Sequence, residues 1–434
     1  MKPLLIKGGC IIDPGQNIDY RGDLLISGGI ISCLTSRDSN SPDKDCEVLD
    51  AEGMIVCPGF IDFHCHLRQP GFEEKETIAS GSRAAAKGGF TTICCMPNTD
   101  PPLDNKATID YVKSIAASEG AIRVLPIGCI SRGRKGGELA DMEELAQAGV
   151  VAFSDDGDTV MNSNLMQKAM EHSLALGLPI SDHCEDKSQN AVGQGASVAA
   201  EENIVARDIA LAQQTGAHIH IAHVSTEGSV ELIRRAKGKG ISITAEATPH
   251  HLTLTQDIVP ERGTMTKVNP PLRTERDVTA LIRGINEGII DIIATDHAPH
   301  TDKDKQQEFD LAPFGISGFE TALASLMWLV HNGQIELKLL IAKLTSDPTK
   351  IIGDRLGKLG TLEAGAAADV TIFDPDLEWT VDTDNFASKG KNTPLNGKRL
   401  KGKVMATIYN GNIVYKDDSL PIVDSKAWSL RAKQ

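Results

Sequence analysis

Eight short, largely apolar runs, separated for the most part by stretches of helical spacing, constrain this chain more than any other feature of its sequence. The runs lie at 59–63, 91–96, 123–128, 150–153, 178–181, 218–222, 241–245 and 291–294. Ala, Glu, Lys and Leu recur at helical spacing over 77–87, 106–117, 142–148, 163–176, 204–215 and 229–237. Short apolar runs of this kind are buried on both faces, and a parallel sheet covered by helices is the arrangement that buries them. Eight strands alternating with helices predict an α/β protein built on a (β/α)8 barrel of the TIM type. A doubly wound sheet is the alternative, but no Gly-x-Gly-x-x-Gly follows any of the eight runs.

The flanks follow a different grammar. Strand signals at 4–6, 10–12, 23–26, 30–33 and 54–56 are punctuated by Gly8-Gly9, Pro14-Gly15 and Gly28-Gly29, which predicts a small antiparallel sheet. Similar segments return at 368–373, 403–408 and 412–415. Sheets made from either end alone would leave edges to cover, so the two ends are expected to pair. The expected organisation is a barrel over 57–364 and a small composite β-sandwich domain built from residues 1–56 and 365–434.

Composition narrows the function. With 434 residues and 41% apolar content the chain reads as a soluble globular protein, and a formal net charge of -15 argues against nucleic acid as a partner. The basic residues Arg132, Arg134 and Lys135 sit among glycines and are expected in a solvated loop. No apolar run approaches the roughly 20 residues of a membrane span, and the first residues do not read as a secretory signal. The nine cysteines lack the spacing of a disulfide framework or a Cys-x-x-Cys zinc site, so reduced, mostly buried thiols are expected.

Barrel enzymes carry their chemistry at the carboxyl ends of the strands. There the sequence places His64 and His66, Asn98, Asp155 and Asp156, His183, His223, Glu246 with Thr248 to His251, and Asp296. His64 and His66 stand two apart in an extended segment, so both imidazoles leave one face. In the run 218–223 the same alternation groups Ile219, Ile221 and His223, and turns His218 and His220 to the outer helices. Four inward histidines and an aspartate exceed one catalytic zinc, which takes about three protein ligands and a water. Two metals, about 3.5–4 Å apart and bridged by a carboxylate, use the surplus, lower the pKa of water and polarise a carbonyl. The chemistry is hydrolytic, and the mixture of imidazole and carboxylate suits zinc first.

In order along the chain, HCHLR (64–68), MPNT (96–99), FSDDG (153–157), SDHCED (181–186), AHVST (222–226), TPHHL (248–252), NPPLR (269–273) and ATDHAPH (294–300) resemble the dihydroorotases of the amidohydrolase superfamily, in the bacterial type I branch. The resemblance implies the reversible interconversion of (S)-dihydroorotate and N-carbamoyl-L-aspartate, the third step of pyrimidine synthesis, with two zinc ions per subunit. By that resemblance His64, His66 and Asp296 hold one zinc, His183 and His223 the other, and Asp156 bridges them. Asp155 is the neighbouring candidate, and alternation lets only one of the two face the metals. Arg68 would clamp the substrate carboxylate, shared by Asn98 and His300, with His66 also touching substrate. Asn269 and the backbone of Phe314 and Gly315 would orient the ring. Asp296 would act catalytically, taking a proton from the attacking water and passing it to the departing nitrogen. The resemblance also implies a homodimer and is compatible with association with aspartate transcarbamoylase, while the pattern of reduced thiols reads as that of a cytoplasmic protein.

Without the resemblance, Arg68 reads as half of a surface ion pair and Asn269 as a turn residue. The polar segment 300–313 reads as a solvated loop or as a lid over substrate. The sequence departs from the family pattern at Cys65 and Gln69, and the segment 186–203 looks shorter than in many relatives. Two rivals remain: a hydantoinase or allantoinase, and an inactive structural partner of aspartate transcarbamoylase. An uncharged hydantoin offers Arg68 no carboxylate, and an inactive partner should lack the metal ligands that this chain keeps.

Overall fold

The computed structural model describes residues 2–36, 45–189 and 197–424. The part of the segment after His183 that spans 190–196 therefore lies outside the described residues. Five strands come from the N-terminal end: β1 (Leu4–Asp13), β2 (Ile18–Ser27), β3 (Ile30–Ser36), β4 (Glu47–Asp50) and β5 (Ile55–Pro58). Seven follow in the middle of the chain: β6 (Phe60–Cys65), β7 (Phe90–Cys95), β8 (Arg123–Pro126), β9 (Ile180–Asp182), β10 (Ile219–Ile221), β11 (Ile243–Ala247) and β12 (Ile292–Ile293). The last four are β13 (Val370–Thr380), β14 (Arg399–Tyr409), β15 (Asn412–Lys416) and β16 (Ile422–Asp424).

The two chain ends form one nine-stranded sheet in the order β15-β14-β13-β5-β1-β2-β3, with β4 beside β1 and β16 beside β4. The ends are joined where β13 runs antiparallel to β5, Val370 facing Pro58 and Phe373 facing Ile55. The sheet is mixed rather than purely antiparallel, since β1 pairs in parallel with both β4 and β5. The signals at 4–6 and 10–12 belong to a single strand, whose register shifts between Ile6 and Gly9. Gly28 and Gly29, both at positive φ, form the two-residue turn between β2 and β3.

In the middle, β6-β7-β8 and β9-β10-β11-β12 form two parallel sheets. Isolated parallel bridges connect them at both edges: Phe153 pairs with Gly128 and with Ile180, and Cys65 pairs with His297. The run at 150–153 thus survives as a single bridging residue instead of a regular strand. Burial sorts the two faces. Ile61, Phe63, Met96, Ile127 and Ile292 pack with one another and with Ile351 and Ile352 from a C-terminal helix. Phe60, Ile93, Ile219, Ile221 and Ile293 pack instead among the residues of the covering helices. Each fully buried side chain of this size contributes about 1.5–3 kcal/mol, so a strand of such residues has a strong preference for this two-sided burial.

Many of the helices start where side chains satisfy their first N–H groups. Thr77 and Ser80 cap the helix Ile78–Lys87 reciprocally. Ser197 accepts from the Ala200 N–H, so the helix Val198–Thr215 begins ahead of the expected Ile204. The segment expected to lack periodicity holds a short helix, Asp302–Lys305, capped by Thr301. Among the described residues no helix is long and apolar enough to cross a membrane, and the nine cysteines are free thiols.

Candidate metal centre and active site

The parallel strands end on one side in a cluster of buried imidazoles and carboxylates. His64 lies in β6 and His66 just beyond it, while Asp156, His183, His223 and Asp296 follow the Phe153 bridge, β9, β10 and β12. Asp156 belongs to two groups of potential ligands, one with His64 and His66 and one with His183 and His223. Within each group the ligand atoms lie within 4.8 Å of one another. Asp296 Oδ1 is 3.0 Å from His66 Nε2 and 3.6 Å from His64 Nε2.

Neighbouring acceptors aim the imidazoles. His64 Nδ1–H donates to Glu246 Oε1 at 2.6 Å, leaving Nε2 for the cluster. His66 Nδ1–H donates to Asn98 Oδ1 at 2.9 Å, with the same result. His183 Nε2–H donates to Glu185 Oε2 at 2.9 Å, and its Nδ1 faces His223 Nε2 at 2.9 Å. Fixing one ring nitrogen by a carboxylate or amide is how proteins present the other to a metal.

The donor set fits a metal ion. His64 Nε2 and Asp156 Oδ1 are buried without a hydrogen-bond partner, a loss of about 1–3 kcal/mol for each such atom that a cation would reverse. Burial alone would raise the Asp156 carboxyl, but His64, His223 and His66 hold it well below the usual range, ready as an anionic ligand. The backbone is strained at the same place. Arg68, Arg134, His223 and Asp296 all have positive φ, at 60, 56, 32 and 45°, a conformation costing about 1–3 kcal/mol that persists where surrounding structure imposes it.

That strain corrects one expectation. β10 ends at Ile221, and His223 turns after it with its left-handed φ, so strand alternation does not set its direction. His220 does not face the outer helices. It is fully buried, its Nε2 lies 3.1 Å from Glu246 Oε2, and its ring meets Phe63 edge-on at 5.1 Å. Ile219 and Ile221 take the helix side instead.

Asp155 and Asp156 separate cleanly. The Asp155 carboxylate turns away from the imidazoles and accepts the N–H groups of Ile130 and Ser131 at 2.9 and 3.1 Å, and the Ser131 hydroxyl. Arg134, expected in a solvated loop, instead donates through Nη2 to the Asp156 carbonyl at 2.5 Å and to Asp158 Oδ2 at 2.8 Å. Arg132 keeps its exposed place.

Beside the cluster is a cavity of about 250 Å³ lined by His66, Arg68, Asn98, Asn269, His300 and Phe314, among others. A larger cleft of about 490 Å³, near Lys87, Trp379 and Tyr415, contains none of these residues. Arg68 is largely buried, not half of a surface ion pair. Its Nε–H donates to the Pro299 carbonyl at 3.2 Å, Nη2 lies 3.3 Å from His300 Nε2, and among the described residues no carboxylate is within ion-pair distance. Burial pushes the guanidinium down to about 10, so it is still cationic at neutral pH. His300 Nε2–H donates to the Phe314 carbonyl at 2.7 Å. Burial, with Arg68 and Lys305 nearby, holds this imidazole well below its ordinary value and therefore neutral. Asn269 Nδ2 donates to Glu185 Oε2 at 3.0 Å, so it faces the cavity and is more than a turn residue. Glu246 and Glu185 thus have roles that their places in the sequence, at a strand end and two residues after His183, do not by themselves disclose.

Comparison with known proteins agrees with this chemistry. Residues 53–229 match the family described as Dihydro-orotase-like. The chain is 50% identical to a dihydroorotase of Thermoanaerobacter sp. (strain X514), over 96% of this chain and 98% of that one. It is 49% identical to a dihydroorotase of Aquifex aeolicus (strain VF5), over 96% of this chain and all of that one, 100%. In fold it is similar to the L-hydantoinase from Arthrobacter aurescens, with a TM-score of 0.88, 24% identity and 98% of each chain covered. The dihydropyrimidinase from Brevibacillus agri gives a TM-score of 0.85 at 23% identity over 97% of this chain and 96% of that one. These last two likenesses concern the fold alone. About half of all positions shared along nearly the full length, with a small-molecule-sized cavity beside a cluster of potential metal ligands, mean that this chain belongs to the dihydroorotase family of cyclic-amide hydrolases.

Proposed function

We propose that the enzyme opens and closes the ring of (S)-dihydroorotate at a two-zinc centre, with His64, His66 and Asp296 on one ion, His183 and His223 on the other, and Asp156 shared. The sharing of Asp156 between two ligand groups supports this stoichiometry. When bound, the ions supply Lewis acidity at the carbonyl and lower the pKa of water. The observation that carries the substrate is Arg68, a cation in the cavity that makes no ion pair with a carboxylate among the described residues. Dihydroorotate brings that carboxylate, and Asn98 and His300 share it. His66, Asn269, and the backbone of Phe314 and Gly315 complete the contacts and orient the ring.

Asp296 moves the proton. Burial would raise its carboxyl, but His66, His64 and His223 hold it well below the usual range, so it starts as the anion. It accepts a proton from the attacking water and delivers it to the ring nitrogen as the carbon–nitrogen bond breaks. In the reverse direction it takes the ureido proton. Such a weak base works through its position rather than its basicity.

In this reading the circuit of parallel pairings from β6 through Phe153 and β12 back to Cys65 is a (β/α)8 barrel spanning 57–364, and the mixed sheet belongs to a composite β-sandwich domain from 1–56 and 365–434. The reading extends to a cytoplasmic homodimer able to associate with aspartate transcarbamoylase. The test is metal content together with turnover of dihydroorotate, hydantoin and allantoin by the purified protein. Two zinc ions and turnover of dihydroorotate alone, both lost in Asp156→Ala, are expected. Turnover confined to hydantoin or allantoin would overturn the substrate assignment.

A further inference from the structure

The link between β13 and β14 leaves the mixed sheet and reaches the cavity's edge. Ser388 Oγ–H donates to Glu76 Oε2 at 2.5 Å, and Gly390 passes so close to the barrel side that a Cβ there would stand 2.4 Å from Pro299 Cβ. Asn392 follows, 1% exposed. Its Oδ1 accepts the His300 N–H at 2.9 Å and the Ser317 hydroxyl at 2.8 Å. Its Nδ2 donates to the carbonyls of Ala298 at 3.0 Å and Gly315 at 2.9 Å. Two donors and two lone pairs are an asparagine's whole capacity, and all four are used.

These partners flank the segment 301–313 on both sides. We propose that Asn392 is a positioning residue for substrate: one amide clasps the two ends of that segment and fixes the spacing between His300 and Phe314–Gly315 across the cavity. The inference rests on the reading that His300, Phe314 and Gly315 meet substrate. The geometry leaves little room for another residue. Gly315 has φ 139°, and a Cβ on it would lie 2.6 Å from both Ala298 Cβ and Ala298 O, so its backbone approaches Ala298 as closely as only glycine allows. A clasp that keeps this approach also keeps His300 Nε2 on the Phe314 carbonyl. Lys305 holds the segment's interior separately, donating through Nζ to the Pro313 carbonyl at 2.8 Å and the Lys267 carbonyl at 3.3 Å. Loss of the Asn392 amide therefore loosens the ends without releasing the whole.

Asn392→Asp tests this, because it keeps the shape and turns two donors into an oxygen facing two carbonyls. Asn392→Ser and Ser317→Ala are milder companions should the first variant not fold. Steady-state kinetics on dihydroorotate, zinc content and amide hydrogen exchange are measured for each. The expected result is a rise in KM of about tenfold with kcat within about threefold, since a displaced substrate contact weakens binding more than chemistry. Zinc content should hold, exchange should quicken only across 298–317, and Ser317→Ala should show a smaller shift of the same kind. An unchanged KM in a folded variant overturns the inference, as does faster exchange spread over the whole chain. If the parent protein does not turn over dihydroorotate, the substrate reading fails by itself, and the exchange pattern still decides the clasp.

Discussion

Glu246 Oε1 lies 2.6 Å from His64 Nδ1 while its Oε2 lies 3.1 Å from His220 Nε2, so one fully buried carboxylate holds two histidines. The same Oε1 accepts the His223 N–H at 3.2 Å. Burial would raise this carboxyl, but His64 and His220 bring it down to about 2. Anionic Glu246 accepts from both rings, which fixes the His64 tautomer with Nε2 directed at the cluster. Glu246→Gln keeps the size but presents a neutral amide. Zinc affinity, measured by competition with a chelator, should fall about 10- to 100-fold, the usual cost of losing such a partner. Unchanged affinity would mean that the His64 ring is held by packing alone.

Arg134 acts on Asp156 from behind. Its guanidinium donates to the carbonyls of Asp155 and Asp156 and to the Asp158 carboxylate, while the Asp155 side chain ties the same turn to Ile130 and Ser131. Arg134→Met retains the stem and removes the donors. The expected outcome is a fall in kcat of about tenfold, comparable to losing one charge-assisted hydrogen bond, with an unchanged unfolding midpoint. A large drop in the midpoint with normal kcat per folded molecule would assign Arg134 to stability alone.

These two residues also show where sequence legibility ends. The residues gathered in the cluster could be read because each follows an apolar run, and a run's end is local information. His220 and Arg134 could not. Alternation from His223 turns His220 to the helices only if the strand continues, but β10 stops at Ile221 and the backbone turns left-handed at His223. Arg134 looked solvated because its partners, Asp155, Asp156 and Asp158, lie about twenty residues further on, and only the fold brings them to it. Asn392 is the extreme case, with partners 92 and 77 residues away at His300 and Gly315.

His218 sets an acid limit on stability. Its ring, largely buried with Nε2 2.8 Å from Thr244 Oγ1, is pushed down to about 4 by burial first, then by His220 and Lys237. The unfolded chain takes up this proton near its ordinary value of 6.5 and the folded chain only near 4. Between those values the unfolded state binds more protons, so the stabilisation present above pH 6.5 is lost as pH falls towards 4. Linkage puts the loss at up to about 3 kcal/mol. Denaturant titrations of the metal-loaded protein across this window should show a flatter pH dependence for His218→Gln than for the parent. Parallel curves would place the acid sensitivity elsewhere.

Arg68 offers the sharpest test of the substrate. Its strained backbone, with φ 60°, and its bond to the Pro299 carbonyl hold the guanidinium in the cavity, where no carboxylate of the described residues comes within ion-pair distance of it. A substrate carboxylate meeting that fork forms paired, charge-assisted hydrogen bonds, which are about twice as strong as neutral ones. Arg68→Met removes the fork and keeps much of the stem. For dihydroorotate, kcat/KM should fall at least about 100-fold, equivalent to about 3 kcal/mol lost from transition-state binding. Arg68→Lys should recover only part of this, because a point charge does not reproduce the fork. Zinc content should match the parent's, because the guanidinium bonds to the Pro299 carbonyl and lies beside His300 rather than against the imidazole cluster. If zinc is lost along with activity, Arg68 supports the site's architecture; if kcat/KM is unchanged, the carboxylate must be recognised by another group.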